Sequence, residues 1–311
     1  MIIGINAAVD PKLDDPIAAL VAQAEVARQR GLALWMAQMM DLDALTALAV
    51  VGRAVPDVPL GTAVVPTYPR HPLVLASQAL TVQAATGNRL TLGIGLSHRV
   101  VVEDIFGLSY AKPIRHLREY LEVLVPLLST GRVEMRGEEL RVATATPVRV
   151  GGAQAPAVLV AALGTQTLEI AGRLTDGTAL WMVGPRTVAS HVVPTITKAA
   201  TAAGRPAPRV CVGLPVSVTA DAGGARERAA RTLSIYNELP SYRAMLDKEG
   251  VDGPADVAVV GDEESVATAL RHLGDIGASE LNLAVFGTED ERARTLDLLG
   301  SLATEQPGKA A

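Results

Sequence analysis

The run TLGIGLSH, residues 91–98, sets two glycines after a short apolar stretch and closes on a histidine. Glycines at a strand end let a flat ring lie against bare backbone. An imidazole beside such a ring titrates near neutrality and can give or take a proton. Two arrangements produce this pattern: a dinucleotide-binding turn, or the end of a barrel strand with a cofactor lying across it. The dinucleotide fingerprint needs a third glycine where helix and strand pack closely. In GIGLSH that position is His98, and Glu119, at about the right separation for a ribose contact, falls inside a helical pattern. The dinucleotide turn fails on both counts. Gly95, Leu96, Ser97 and His98 are therefore expected at the rim of a barrel, where such enzymes keep their chemistry. By geometry alone His98 reads equally as an acid–base group or as a rim histidine with no role.

The rest of the chain supplies elements to hold that rim. Short apolar runs at 2–7, 32–38, 59–65 and 89–95 alternate with helical patterns at 14–31, 41–55 and 71–87. The helix at 14–31 has Asp14 or Asp15 as cap, Pro16 in its first turn and Gly31 at its close. A longer helix begins at 113, with Pro126 placed to bend it or mark its final turn. The rhythm resumes at 157–163, 177–183, 209–218 and 280–287, each followed by a helical segment. Eight strands alternating with helices, apolar on both faces, predict an α/β fold, a single closed (β/α)8 TIM barrel. Two insertions interrupt it: a hairpin near 132–142, and a helical or loop segment near 236–261. The domain is expected to span 1–304, with a frayed tail at 305–311.

Composition narrows the function classes. The 311 residues are 49% hydrophobic, enough for one large core, and the net charge is -5. No basic run of the kind that tracks phosphate backbones occurs, so no nucleic-acid partner is expected; RERAARTL reads as a charged helix face. The single cysteine, Cys211, lies in an apolar run and can make neither an intramolecular disulfide nor a zinc site, so it reads as a buried thiol. No apolar run approaches the ~18 residues that cross a bilayer, so no membrane partner is expected. The opening MIIGINA lacks the basic region and cleavage site of a secretory signal, and a cytoplasmic location is expected.

The stretch LGTAVVPTYPRHPLVLASQALTVQAATGNRLTLGIGLSH resembles the luciferase-like monooxygenase superfamily, in the branch that uses the deazaflavin coenzyme F420. The likeness continues through FGLSYAKPIRHLREYLEVLVPLL and AALGTQTLEIAGRLTDGTALWMVGP, in the family's order. It implies a third strand ending in a bulge with a non-prolyl cis peptide, here Ala63–Val64, that supports the ring from behind. It implies that the residue closing the second strand, Gln38 with Met39 beside it, hydrogen-bonds the ring's pyrimidine edge, for which an amide is suited; a solvated loop glutamine is the competing account. Gly164 and Thr165 would hold the phosphate at a helix start, although Thr165 also reads as a plain N-cap. Ala162 and Leu163 would approach the ring or its ribityl chain. Trp181 and Met182 close the sixth strand and would line the cofactor pocket, although strand spacing turns one of the pair toward the helices.

His98 departs from sugar-phosphate dehydrogenase relatives, which carry a glutamate there and an asparagine three residues on; here that second position is Val101. The substitution points to a less polar small-molecule substrate. The expected reaction is hydride transfer between C5 of F420 and an electron-poor C=C, C=N or C=O group, or the reverse, with His98 as proton donor or acceptor. Two alternatives stand: an FMN-dependent monooxygenase on the same fold, served by a separate reductase, and a flavin-binding barrel without turnover. Glu103 and Asp104 follow the His98 loop and are placed to orient it. His71 reads as a cap or a ligand; His116, His191 and His272 read as helix-surface residues. Tyr110, Tyr236 and Tyr242 would form a pocket wall or pack the loops. Relatives of this kind are often dimers, so a homodimer is a further expectation.

Overall fold

In a closed parallel barrel each strand is covered on both faces, one by the interior and one by the helices. The computed structural model, which describes residues 1–305, has eight such strands. They are β1 (Ile2–Asn6), β2 (Ala33–Met36), β3 (Leu60–Thr62, resuming at Val65–Pro66), β4 (Leu90–Gly95), β5 (Ala157–Val160), β6 (Gly177–Trp181), β7 (Arg209–Val218) and β8 (Glu280–Val285). Gly4 of β1 lies opposite Ala33 of β2 and Asn282 of β8, and Cys211 of β7 lies opposite Ala179 of β6. The sheet thus closes on itself as a TIM barrel. Eight helices surround it: α1 (Pro16–Gln29), α2 (Ala44–Ala54), α3 (Pro72–Thr86), α4 (Pro113–Thr130), α5 (Thr165–Leu174), α6 (Val193–Ala202), α7 (Glu263–Asp275) and α8 (Glu289–Thr304). Of the predicted tail, positions 306–311 lie outside the described residues.

The core has two shells. Leu34, Leu92, Val160 and Leu281 point outward against helix residues such as Leu20, Leu48 and Leu124, and all are buried. The inner shell is small: Ala33, Trp35, Leu159, Ala179 and Cys211. Trp35 spans this interior because its neighbours lack side chains: a Cβ on Gly4 would stand 2.7 Å from its ring, and one on Gly61 would overlap it. Toward the N-terminal end, Arg209 pairs with the buried Glu280 (2.7 Å) and reaches Thr91 Oγ1 (3.1 Å). The Cys211 thiol is buried there, and burial raises its pKa well above the ordinary value. It is the structural thiol expected.

Local chemistry starts most helices. Asp15, Asp43, Asp262 and Thr288 accept from backbone N–H groups at the starts of α1, α2, α7 and α8, and His71 Nδ1 accepts from Leu73 N–H (3.2 Å) at α3. His71 is therefore a cap. Helix α4 continues past Pro126 to end on left-handed Gly131.

Both predicted insertions exist, with more order than their composition suggested. The hairpin pairs Glu134–Arg136 with Arg141–Ala143, and the buried carboxylate of Glu119 on α4 accepts from the N–H groups of Glu138, Glu139 and Leu140 at its turn. After β7 come two helices, Ala222–Thr232 and Pro240–Glu249, then a short strand, Val259–Gly261, paired with the end of β7. The helical segment expected after 177–183 is one α turn (Pro185–Thr187), a π-helical turn (Val188–Val192) and then α6. Among the described residues no helix is long and apolar enough to cross a membrane.

Candidate active site

The C-terminal end of the barrel carries a shelf of small residues. Between the two parts of β3 the Ala63–Val64 peptide is cis, as the resemblance implied. Val64 turns onto β4: a Cβ on Gly95 would stand 2.8 Å from Val64 Cγ2 and 3.0 Å from Ala161 Cβ. Only glycine lets Val64 and Ala161 close over β4 at that point, so these two partly exposed side chains form the surface and Gly95 lies buried beneath them. Thr62 fixes the approach of the strands below, its hydroxyl donating to Gly93 O and accepting from Gly93 N–H, both at 2.8 Å.

Backbone conformation singles out the same end. Four non-glycine residues among those described adopt left-handed φ. Asp57 and Asn88 are of types that tolerate it, in turns between helix and strand. Ser97 (φ 61) and Met182 (φ 58) sit instead at the ends of β4 and β6, beside the shelf. Such conformations in unsuited residues gather at functional sites.

Ser97 leads into His98, which is half-buried; burial lowers its pKa below the ordinary value. Its ring lies 5.7 Å from that of Tyr242, on the helix Pro240–Glu249. The other half-buried histidines are already engaged. His116 Nε2 shares a 3.0 Å hydrogen bond with the Thr67 hydroxyl, and its ring stacks on Tyr68 at 4.0 Å. His191 Nε2 donates to Leu163 O at 2.9 Å. Neither is the helix-surface residue expected, whereas His272 is exposed as its position suggested. No described residue hydrogen-bonds the imidazole of His98.

The start of α5 is open. Gly164 is its N-cap, exposed and in extended conformation, and no side chain accepts from the first turn. A Cβ on Gly164 would meet nothing nearer than 3.9 Å. Thr165 is the first helical residue and not the cap, so its N–H points outward with its neighbours. This uncapped start suits a phosphate.

Other expected contacts are redistributed. Gln38 has both ends of its amide engaged: Oε1 accepts from Ala44 N–H (2.9 Å) and Arg70, and Nε2 donates to Met39 O (2.8 Å) and Leu42 O. It clamps its own loop and is neither free for a ring edge nor a solvated loop residue, while Met39 projects into solvent. Ala162 and Met182 are wholly buried in the outer core, so their side chains face the helices; Ala161 and Trp181 occupy the mouth instead. Glu103 pairs with Arg99 (3.0 Å) and accepts from Tyr110 N–H (3.3 Å), holding the 98–110 loop and not the His98 ring; Asp104 is exposed. Tyr110 packs on Tyr68, and Tyr236 and Tyr242 pack on Trp181 and His98. Sequence reasoning passed over Tyr68 and Ala161. Counting by twos from Gly93 and Gly95 across the register to Leu159 would have found Ala161.

Comparison with known proteins agrees with the fold. The chain matches uncharacterised proteins of Mycobacterium bovis and Mycobacterium tuberculosis at 27% identity over 204 residues, 61% of this chain. It spans about three-fifths of their length, 60%. It is 25% identical to a 5,10-methylenetetrahydromethanopterin reductase of Methanolobus tindarius over 92% of this chain and 88% of that one. The structure of a coenzyme F420-dependent tetrahydromethanopterin reductase from Methanopyrus kandleri superposes with a TM-score of 0.78 at 20% identity, covering 97% and 98% of the two chains. The FMN-bound oxygenating constituent of a diketocamphane monooxygenase from Pseudomonas putida superposes with a TM-score of 0.76 at 15% identity over 98% and 97%. The family model for luciferase-like monooxygenases matches residues 3–280, and the chain belongs to that family.

Proposed function

We propose that this chain is an F420-dependent oxidoreductase in which His98 handles the proton. The observation that carries this reading is a shelf of Val64 and Ala161 closed over Gly95, with a free imidazole on the loop after β4 and an uncapped helix start after β5. These groups fit a deazaflavin: Val64 and Ala161 offer a planar ring a short apolar surface, and the N–H groups of α5 suit its phosphate. The F420-dependent reductase among the structural neighbours and the reductase relative from Methanolobus support that cofactor. Bound there, the cofactor would supply or take up a hydride at an electron-poor C=C, C=N or C=O carbon.

The chain supplies position and a proton. Val64 and Ala161 back the ring's place, and α5 anchors the phosphate. His98 donates a proton to the substrate atom beside the hydride-accepting carbon, or removes one in the reverse direction. Burial lowers its pKa and so favours the neutral imidazole, the form that accepts a proton in the oxidation direction.

Anaerobic spectral titration with F420 and with FMN tests the reading. Tight F420 binding with weak FMN binding is expected. Tight FMN binding without F420 affinity would make the chain an FMN monooxygenase, the reading its FMN-bound neighbour supports. Cofactor binding without hydride transfer to any acceptor would leave a flavin-binding barrel.

A further inference from the structure

Aromatic residues are scarce in this chain: two Trp, five Tyr and two Phe. The core does not need them, since its outer shell is built from Leu, Val, Ile and Ala with Tyr120 as its one buried aromatic. Apart from Tyr120 on α4 and Trp35 inside the barrel, every aromatic residue lies at the end of a strand or in the segment between a strand and the barrel helix that follows it. Packing alone gives no reason for that distribution, because large rings ordinarily serve the interior.

Four rings form a continuous arch over the mouth. His98, after β4, meets Tyr242 at 5.7 Å; Tyr242 meets Tyr236 edge-on at 4.9 Å; Tyr236 meets Trp181, the last residue of β6, at 6.2 Å. The two tyrosines come from the insertion after β7, so the arch ties three separate parts of the rim to the proton-handling residue. Both phenols are pushed up by burial and stay neutral. The surroundings are apolar too: Val100, Ile105, Leu108 and Ile235 stand exposed on the same loops. Arg99 is committed to Glu103, and Arg243 to Asp247 and the carbonyls of Val251 and Asp252. An uncharged wall of ring faces and edges discriminates against an anionic substrate, which would lose its hydration there without a charged partner in the wall.

We infer that the arch of Trp181, Tyr236, Tyr242 and His98 is the substrate wall, and that it selects neutral, planar ring compounds over carboxylates or phosphates. This rests on the proposed oxidoreductase reading for where the substrate reacts, but ligand binding to the arch can be measured without turnover.

The probes are 2-acetylnaphthalene and its carboxylate congener 6-acetyl-2-naphthoate, titrated calorimetrically into the wild-type protein and into Tyr242→Ala, Tyr242→Phe and Tyr236→Ala. The neutral ketone is expected to bind at least about tenfold more tightly than the carboxylate. Tyr236→Ala and Tyr242→Ala should each weaken ketone binding about tenfold, with Tyr242→Phe close to wild type because the ring face is what counts. Thermal unfolding reports whether each variant folds; if Tyr242→Ala does not, Tyr236→Ala and the ketone-to-carboxylate ratio still decide. Equal binding of the two probes, or alanine variants that bind the ketone unchanged, would overturn the inference. A parallel F420 titration keeps the readings apart: no F420 binding with ketone selectivity intact rejects the cofactor alone, and F420 binding without ketone selectivity rejects the substrate wall alone.

Discussion

Two strand ends of this barrel are built alike and finished differently. After β5 the chain runs Ala-Leu-Gly into α5; after β6 it runs Met-Val-Gly into the turn at Pro185. Gly164 (φ -80, ψ 157) and Gly184 (φ -74, ψ 165) hold nearly the same extended conformation at the two helix starts. At Gly184 the chain fills its own site: the Glu249 carboxylate accepts from Arg186 N–H (3.1 Å) and Thr187 N–H (2.7 Å). At Gly164 nothing of the protein does so. The same contrast divides the histidines, with His116 and His191 engaged and His98 not. Beside these engaged counterparts, the Gly164 start and the His98 ring have no protein partner, and the proposed function assigns both to the ligand.

The largest expected effect comes from His98. His98→Ala should slow turnover by about 10²–10⁴-fold with cofactor affinity nearly unchanged; steady-state and binding measurements together check this. His116→Ala should cost about 1 kcal/mol of stability through its lost Thr67 bond and Tyr68 stack, and change turnover less than about tenfold. Equal kinetic losses in the two variants would erase the distinction between them.

Gly164→Asp makes the open helix start resemble the closed one. The extended backbone and the open space accept the side chain, so stability should hold or rise by a few tenths of a kcal/mol. The new carboxylate would repel a phosphate, and F420 affinity should fall by about 10²-fold. Unchanged affinity would move the phosphate elsewhere.

Glu249→Ala opens the closed start. Two backbone N–H groups lose their acceptor, at a cost of about 1–2 kcal/mol in denaturant unfolding. Tyr242 rides on the same helix, so ketone binding should weaken while F420 affinity stays. The smallest effect is on pH. His98 and His116 are both shifted down by burial, so the unfolded chain binds protons more readily than the folded one. Stability from these groups is full above the ordinary histidine pKa of about 6.5 and is lost as pH falls from there through their folded values. Rates follow the same group: oxidation should be level above that range and fall below it, and reduction should rise as pH falls. A rate profile unchanged in His98→Ala would assign the titration to another residue.

The barrel was legible because strands covered on both faces read as continuous apolar runs and their helices carry explicit caps. That same continuity hid which residues face inward. In AVLVAAL both parities are apolar, so Ala161 and Ala162 cannot be told apart until the register with Gly93 is known. Trp181 and Met182 pose the same ambiguity. His116 sits on the first turns of α4 with polar neighbours, and its burial comes from Thr67 and Tyr68, almost fifty residues away in the chain. The helix Pro240–Glu249 is polar and flanked by turn residues, so its segment read partly as loop; its order comes from Glu249 docking on the turn after Gly184 and from Tyr242 docking on His98. Gln38 was legible as a rim residue, but its amide is held by an arginine 32 positions on, a contact no local pattern encodes.

The most direct test is a crystal structure of the protein with F420 bound. The expected map places the phosphate on the N–H groups that follow Gly164, the ring against Val64 and Ala161, and His98 facing the open side of the ring. A phosphate seated at the Gly184 start in place of Glu249, or a ring out of reach of His98, would contradict the account.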